Sequence, residues 1–252
     1  MNKYDIYHGD SADILSDIDV KVDLTFTSPP YFNAREYSQY ASYAEYLNTL
    51  NRIFNEVHRV TKEGGFLVIN VSPVIEPRIS RSHQSKRYPI PFDLTYRLKR
   101  SGWDFIEDII WEKPEPSVKN RNGGFSQHRK PLAYKPNIIH EYVLVFRKET
   151  EKLIDWNIKQ YSKEIVDLSK VGDGYEKTSI WKIQPKSSKF HPAIFPEELV
   201  ERVIKYYSMV NDIVLDPFNG IGTTCRVAKQ LGRNYVGIEI NKDYYEYSLN
   251  NL

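Results

Sequence analysis

Short apolar runs alternate along the 252 residues with segments whose apolar positions recur at three- and four-residue steps. The runs Lys3–His8, Val22–Thr27, Gly65–Val71, Asp104–Trp111, Glu141–Arg147, Asp212–Asp216 and Asn234–Glu239 read as strands. Between the second and third, Tyr43, Leu47, Leu50, Phe54 and Val57 share one helical face, and Gly64-Gly65 is expected to close that helix. Further helices are expected at Pro91–Arg100, ending before Gly102, and at Pro196–Met209, Ile221–Leu231 and Lys242–Leu249. The alternation predicts an α/β fold, an open, mostly parallel sheet with flanking helices.

One region breaks the rhythm. From Glu112 to Phe190 the chain is polar, basic and rich in Gly, Pro and Ser, apart from the strand near Glu141–Arg147. Long non-periodic inserts in a compact chain are uncommon and often functional. Pro114–Pro136 and Lys148–Phe190 therefore read as loops and short elements that hang off the sheet. The expected organisation is one domain over residues 1–252, with an inserted target-recognition region at about 114–190.

Charge sharpens this. The net charge of +2 argues for no partner, but residues 114–190 hold 15 Lys/Arg against 9 Asp/Glu. Arg78, Arg81, Lys86 and Arg87 fall in a stretch without acids, and Arg121, Arg129 and Lys130 lie in the insert. Local excess of this kind is the footprint of a polyanion-binding face, and these seven residues are the candidates for it. A solvated surface with nothing bound would show the same excess. No apolar run approaches a membrane span and no secretory h-region opens the chain, so no membrane partner is expected. The sole cysteine, Cys225, excludes an internal disulfide and fits a reducing cytoplasm. No Cys/His metal-ligand spacing occurs, so no metal is expected.

Two motifs carry chemistry. Asp216-Pro217-Phe218-Asn219-Gly220-Ile221-Gly222-Thr223-Thr224 follows an apolar run and precedes a helical pattern, the strand–turn–helix of a ligand crevice in an α/β sheet. About twenty residues on, Glu239 ends the next strand, where a carboxylate would hold a ribose diol. The turn lacks a Gly-Lys-Ser/Thr ending, which excludes a phosphate loop and favours a nucleoside without phosphates. The second motif, Ser28-Pro29-Pro30-Tyr31, ends the strand Val22–Thr27. Its prolines fix a rigid extended turn. The Ser28 hydroxyl and the Pro29 carbonyl can aim two oxygens at one amino group, and Tyr31 offers a flat face to an extruded base. Taken alone, either motif could be an ordinary turn.

Together, in this order, the motifs resemble the DNA amino-methyltransferases, and catalytic motif before cofactor motif is similar to the β group of that family. Gly64-Gly65-Phe66-Leu67-Val68-Ile69, Ile109-Ile110-Trp111-Glu112-Lys113-Pro114, His140-Glu141-Tyr142-Val143-Leu144-Val145-Phe146 and His191-Pro192-Ala193-Ile194-Phe195-Pro196 also resemble family segments. The resemblance implies a permuted, Rossmann-like class I fold that uses S-adenosyl-L-methionine. It implies that Asp216, Phe218, Gly220, Gly222 and Thr223 line the methionine side of the cofactor. It places the ribose hydroxyls on Glu239 and the adenine amino group on Asp10, within His8-Gly9-Asp10. Ser28, Pro29, Pro30 and Tyr31 would form the catalytic pocket.

The expected substrate is double-stranded DNA, with the target base flipped out and methylated at cytosine N4. Serine at the head of the turn resembles the cytosine enzymes, whereas adenine enzymes more often carry Asp or Asn. Adenine N6 stays open as the alternative. An RNA amino-methyltransferase and a non-catalytic DNA-binding module are the other readings. Methylation at cytosine carbon 5 is excluded because it needs a cysteine nucleophile, and Cys225, just inside the cofactor helix, reads as packing. A cognate restriction endonuclease and a homodimer are partners that such an enzyme could have.

Overall fold

The computed structural model describes residues 5–33, 39–76, 80, 82–83, 85–186 and 195–252. Arg78, Arg81 and the segment His191–Ile194 lie outside the described residues, as does the expected start of the first strand. In chain order the elements are β1 (Ile6–His8), α1 (Ser11–Asp17), β2 (Val22–Thr27), α2 (Tyr43–Val60), β3 (Thr61–Val71), β4 (Val74–Glu76), β5 (Lys86–Tyr88), α3 (Ile90–Arg100) and β6 (Trp103–Glu112). They continue with α4 (Gly123–His128), β7 (His140–Lys148), α5 (Ile154–Ile158), α6 (Lys163–Leu168) and β8 (Ile180–Lys182). The last are α7 (Glu197–Tyr207), β9 (Ile213–Asp216), α8 (Thr223–Gln230), β10 (Asn234–Glu239) and α9 (Lys242–Asn250).

Eight strands form one sheet in the order β1-β10-β9-β2-β3-β7-β6-β8. The five from β1 to β3 run parallel, β7 is antiparallel to both β3 and β6, and β8 runs parallel to β6. Every residue of β2 is buried, as a central strand covered on both faces must be. On one face Leu67, Ile69 and Leu215 pack with Leu50, Phe54 and Val57 of α2 and Leu94 and Leu98 of α3. On the other, Leu24, Phe26, Val68 and Val214 pack with Leu199, Val203 and Ile204 of α7 and Val227 and Ala228 of α8.

β2 and β9 are neighbours, yet β2 leads to β3 on one side and β9 to β10 on the other. That makes their carboxyl ends a topological switch point, where open α/β sheets hold ligands. β7 starts and β6 ends at this same edge, because Val71 pairs with Tyr142 and Glu112 with His140. The long β6–β7 connection, residues 113–139, therefore rises beside the crevice.

Three sequence expectations differ from the structure. The helix closes at Val60, and Gly64-Gly65 lies inside β3 instead of ending α2. A Cβ at Gly65 would come within 2.9 Å of the Asp23 carbonyl oxygen, so glycine serves the close approach of β3 to β2, beside a register shift. The insert is also less detached than expected, since β8 completes the sheet edge and Trp181 is buried. Its stretch 153–170 packs at the amino edge, away from the crevice, with Asn157 on Arg147 and Tyr161 on Asp212.

Candidate active site

The two motifs meet across the switch point. Thr27, the last residue of β2, donates its hydroxyl to Asp216 Oδ1 at 2.6 Å, and Asp216 ends β9. The Phe218 amide donates to the same oxygen at 3.0 Å. Asp216 is buried, and burial pushes its carboxyl up to about 6 against the pull of these donors. Phe218, half-buried, sets its ring edge-on to Phe54 at 6.3 Å.

Beyond it the chain turns through Gly220 (φ 52°) and Gly222 (φ 83°), both in the left-handed region that favours glycine. A Cβ on Gly222 would lie 2.9 Å from Ser248 Cβ, so the turn is also pressed by α9. Gly222 caps α8, and Thr223 begins it, buried. Glu239 closes the far wall. Its Oε2 accepts the Gly220 amide at 2.7 Å and its Oε1 the Asn241 amide at 2.8 Å. Burial raises its pKa while those two amides pull it down. Each oxygen retains a lone pair for a further donor.

Asp10 is next to this wall, because the Gly9 amide donates to the Glu239 carbonyl at 3.0 Å and the Ser11 hydroxyl donates to the Pro217 carbonyl. Its Oδ1 caps α1 through the Ala12 and Asp13 amides, and its Oδ2 pairs with Arg52 at 2.8 Å. Both oxygens are thus engaged, which leaves only their remaining lone pairs for a ligand.

On the other side of the switch point Pro29 is buried, while Ser28, Pro30 and Tyr31 are half-buried. The Tyr31 hydroxyl donates to Glu141 Oε2 at 2.7 Å. Burial, then the Glu141 charge and hydrogen bond, push the Tyr31 pKa well up, with Ser28 opposing slightly. Asn70 Nδ2 donates to Glu141 Oε2 at 2.6 Å and lies 3.3 Å from the Tyr31 oxygen. Lys113 forms an ion pair with Glu141 Oε1 and sits 4.3 Å from the Trp111 ring centroid. Sequence reasoning gave no role to Asn70, Glu141 or Lys113. The available signal was a carboxylate at Glu141, directly before the apolar run Tyr142–Phe146.

The described basic candidates gather at the crevice edge. Lys86 and Arg87 are exposed on β5, and Arg129 and Lys130 are exposed beyond α4. Arg121 is half-buried, and its pKa is lowered first by burial and then by the Arg87 charge, so these two cations of the 113–139 connection and the β4–β5 hairpin lie within electrostatic reach of each other. Leu132 (φ 66°) and Tyr134 stand exposed on the same connection. Cys225 is fully buried beneath the glycine turn, its thiol raised by burial and by Asp216. Among the described residues, no helix is long and apolar enough to cross a membrane.

Residues 22–250 match the N6/N4 DNA methylase family. The type II methyltransferase M.ScaI of Streptomyces caespitosus is 32% identical over 262 residues, spanning 98% of this chain and 80% of its own. The type II β methyltransferase M.BslI of Bacillus sp. is also 32% identical, over 96% of this chain, which spans only 27% of that relative. Among solved structures, the Thermus thermophilus protein TTHA0409 in complex with S-adenosyl-L-methionine superposes with a TM-score of 0.79 at 28% identity, covering 98% and 92% of the two chains. The PvuII cytosine-N4-specific DNA methyltransferase shares the fold, with a TM-score of 0.69 at 21% identity over 97% and 84%.

Proposed function

Because the chain belongs to the N6/N4 DNA methylase family, we propose that it methylates the exocyclic N4 of cytosine in duplex DNA, with S-adenosyl-L-methionine as donor. The observation that carries the methyl-transfer part of this reading is the Thr27–Asp216 hydrogen bond of 2.6 Å, which joins the strand ends that lead into the Ser28–Tyr31 turn and the glycine turn. The choice of cytosine rests on serine at position 28, as in the cytosine enzymes that the turn resembles.

The residues present suit that cofactor. Asp216 offers a buried carboxylate to a cationic amino-acid end, and Phe218 an apolar wall. Glu239 keeps lone pairs for a diol, and Asp10 adjoins it for the adenine side. Gly220, Gly222 and Thr223 line the turn between them. Bound there, S-adenosyl-L-methionine supplies an electrophilic methyl group on sulfonium.

The chain's own residues then solve a problem of geometry. The amino nitrogen of cytosine is a weak nucleophile because its lone pair is conjugated into the ring. Ser28 Oγ and the Pro29 carbonyl would accept from its hydrogens and favour a pyramidal nitrogen whose lone pair is localised toward the methyl group, and these bonds strengthen as the nitrogen becomes tetrahedral. Pro30 keeps the turn rigid, and Tyr31 faces the base. A serine hydroxyl is no useful base at neutral pH, so the proton leaves to water. Flipping the base costs a few kcal/mol, offset by phosphate contacts from Lys86, Arg87, Arg121, Arg129 and Lys130. The same role is assigned by sequence to Arg78 and Arg81. Within the recognition region at about 114–190, the reading sets aside 153–170, which packs at the opposite edge.

The reading extends to a modification role beside a cognate restriction endonuclease in the cytoplasm; the relative M.ScaI is itself named a type II methyltransferase. The test is direct. Duplex DNA methylated by the protein is digested to nucleosides and the product identified by mass spectrometry. N4-methylcytosine is expected. N6-methyladenine alone would overturn the target base, and methylation of RNA in place of DNA would overturn the polymer.

A further inference from the structure

We propose that Glu141 is the positioning residue that sets the plane of Tyr31, and that Lys113 ties this setting to the DNA-facing connection 113–139. The inference rests on the catalytic reading of the Ser28–Tyr31 turn and deepens it.

Backbone alone does not fix Tyr31. Two prolines lock the chain before it, but the tyrosine side chain has its own two torsions. A ring that must face a flipped base needs its far end held. Glu141 holds it, with Oε2 2.7 Å from the phenol oxygen. The carboxylate is itself held from two further directions, by Asn70 Nδ2 at 2.6 Å and by Lys113 on Oε1. Glu141 and Lys113 side chains are only 16% and 18% exposed, so solvent screens these contacts weakly.

Each partner comes from a different part of the fold. Asn70 stands near the end of β3, Glu141 near the start of β7, and Tyr31 in the turn after β2. Lys113 is the first residue after β6, and its amide closes the base of the connection on the Ile139 carbonyl at 2.6 Å. Movement of that connection on DNA reaches Tyr31 through one ammonium and one carboxylate. The raised phenol pKa agrees with this arrangement, since a neutral hydroxyl can keep donating to the carboxylate.

The test uses the full chain with Glu141→Gln, Glu141→Ala, Tyr31→Phe and the double variant Tyr31→Phe/Glu141→Ala. Ring resonances of 13C-labelled tyrosine, with Tyr31 identified by loss in Tyr31→Phe, report its hold in the free protein. Single-turnover methyl transfer on duplex DNA and calorimetric cofactor titration report function. A lost bond to a charged group should slow Glu141→Ala roughly tenfold or more in single turnover, with cofactor affinity unchanged within about twofold. Glu141→Gln keeps one oxygen for the phenol and should recover part of the rate. On the Tyr31→Phe background Glu141→Ala should add little, because the two act as one unit. Tyr31 resonances should shift or broaden in Glu141→Ala. Unchanged resonances, or rate losses that multiply in the double variant, would overturn the proposal. A wild-type protein that fails to methylate DNA would instead remove the catalytic reading, and the resonances alone would then decide whether Glu141 holds Tyr31. If Glu141→Ala does not fold, Glu141→Gln carries the same comparisons.

Discussion

At Asp216 burial and function pull in opposite directions. Its carboxyl is raised from 3.8 to about 6 by burial, so between those values the folded chain binds a proton that the unfolded chain has lost. Stability must therefore fall as pH rises through that window, and the loss persists above it. The size is about 3 kcal/mol at most, from a shift of this order in a buried group. Asp216→Asn removes the charge. Its oxygen can still accept from Thr27 and Phe218, and its amide can donate to Thr224 Oγ1, whose hydroxyl lowers the carboxyl's pKa as a donor in the parent and can accept instead. The variant should unfold at a higher temperature than the parent at pH 8 and lose the pH dependence between 4 and 6. It should also bind S-adenosyl-L-methionine roughly tenfold or more weakly, because a charge-assisted contact is gone. Thermal scans across pH and calorimetry check both halves. A variant that is less stable at pH 8 and binds normally would show that this carboxylate is structural.

Among the elements, legibility followed length and burial. β2 and β10 fall on the residues expected of them, because short runs rich in β-branched, aromatic and other apolar residues and bounded by turn residues leave little choice. The seven-residue α1 and three-residue β8 were not legible, since neither is long enough to show a period. Gly64-Gly65 misled because glycine pairs usually end helices, whereas here the Asp23 carbonyl demands Gly65, and a left-handed φ of 69° beneath Asn157 and Arg147 demands Gly64. At the site, the motifs at Ser28–Tyr31 and Asp216–Thr224 were readable as motifs, but the Tyr31–Asn70–Glu141 contacts were not. Their partners lie 39 to 110 positions apart, and no local spacing rule links them. The basic 113–139 connection is the element on which DNA affinity should turn. Neutralising Arg121, Arg129 and Lys130 together should weaken duplex binding and flatten its salt dependence by roughly one unit of slope per lost phosphate contact. Cofactor affinity should not change. A salt slope equal to the parent's would mean that these side chains face solvent.

Across the whole molecule the sheet separates chemistry from fastening. The carboxyl edge carries the crevice, while the amino edge carries a buried acidic pair that holds the insert. Asp23 Oδ2 accepts the Ile213 amide at 2.9 Å and its Oδ1 pairs with Lys62 at 2.6 Å. Asp212 Oδ2 accepts the Met209 amide at 2.7 Å, and its Oδ1 accepts the Tyr161 hydroxyl at 2.9 Å. Burial raises the Asp212 pKa, the Asp23 charge raises it further, and the Met209 amide, Tyr161 and Lys62 pull it back. As at Asp216, a raised acid means stability that declines as pH climbs past the unfolded value and is not regained above the folded one. Asp212→Asn should therefore flatten the acid-side pH dependence of unfolding. The substitution can be accommodated, because the Asn oxygen can accept from Met209 while its amide donates to Tyr161, whose hydroxyl can accept as well as donate. Tyr161→Phe acts in the opposite sense. It removes a donor from a buried carboxylate and should cost on the order of 1–3 kcal/mol in denaturant unfolding. Neither change touches the crevice, so single-turnover methyl transfer at neutral pH should match the parent in both variants while they remain folded. A transfer rate that fell with Tyr161→Phe would mean that the amino edge and the crevice are coupled through the sheet.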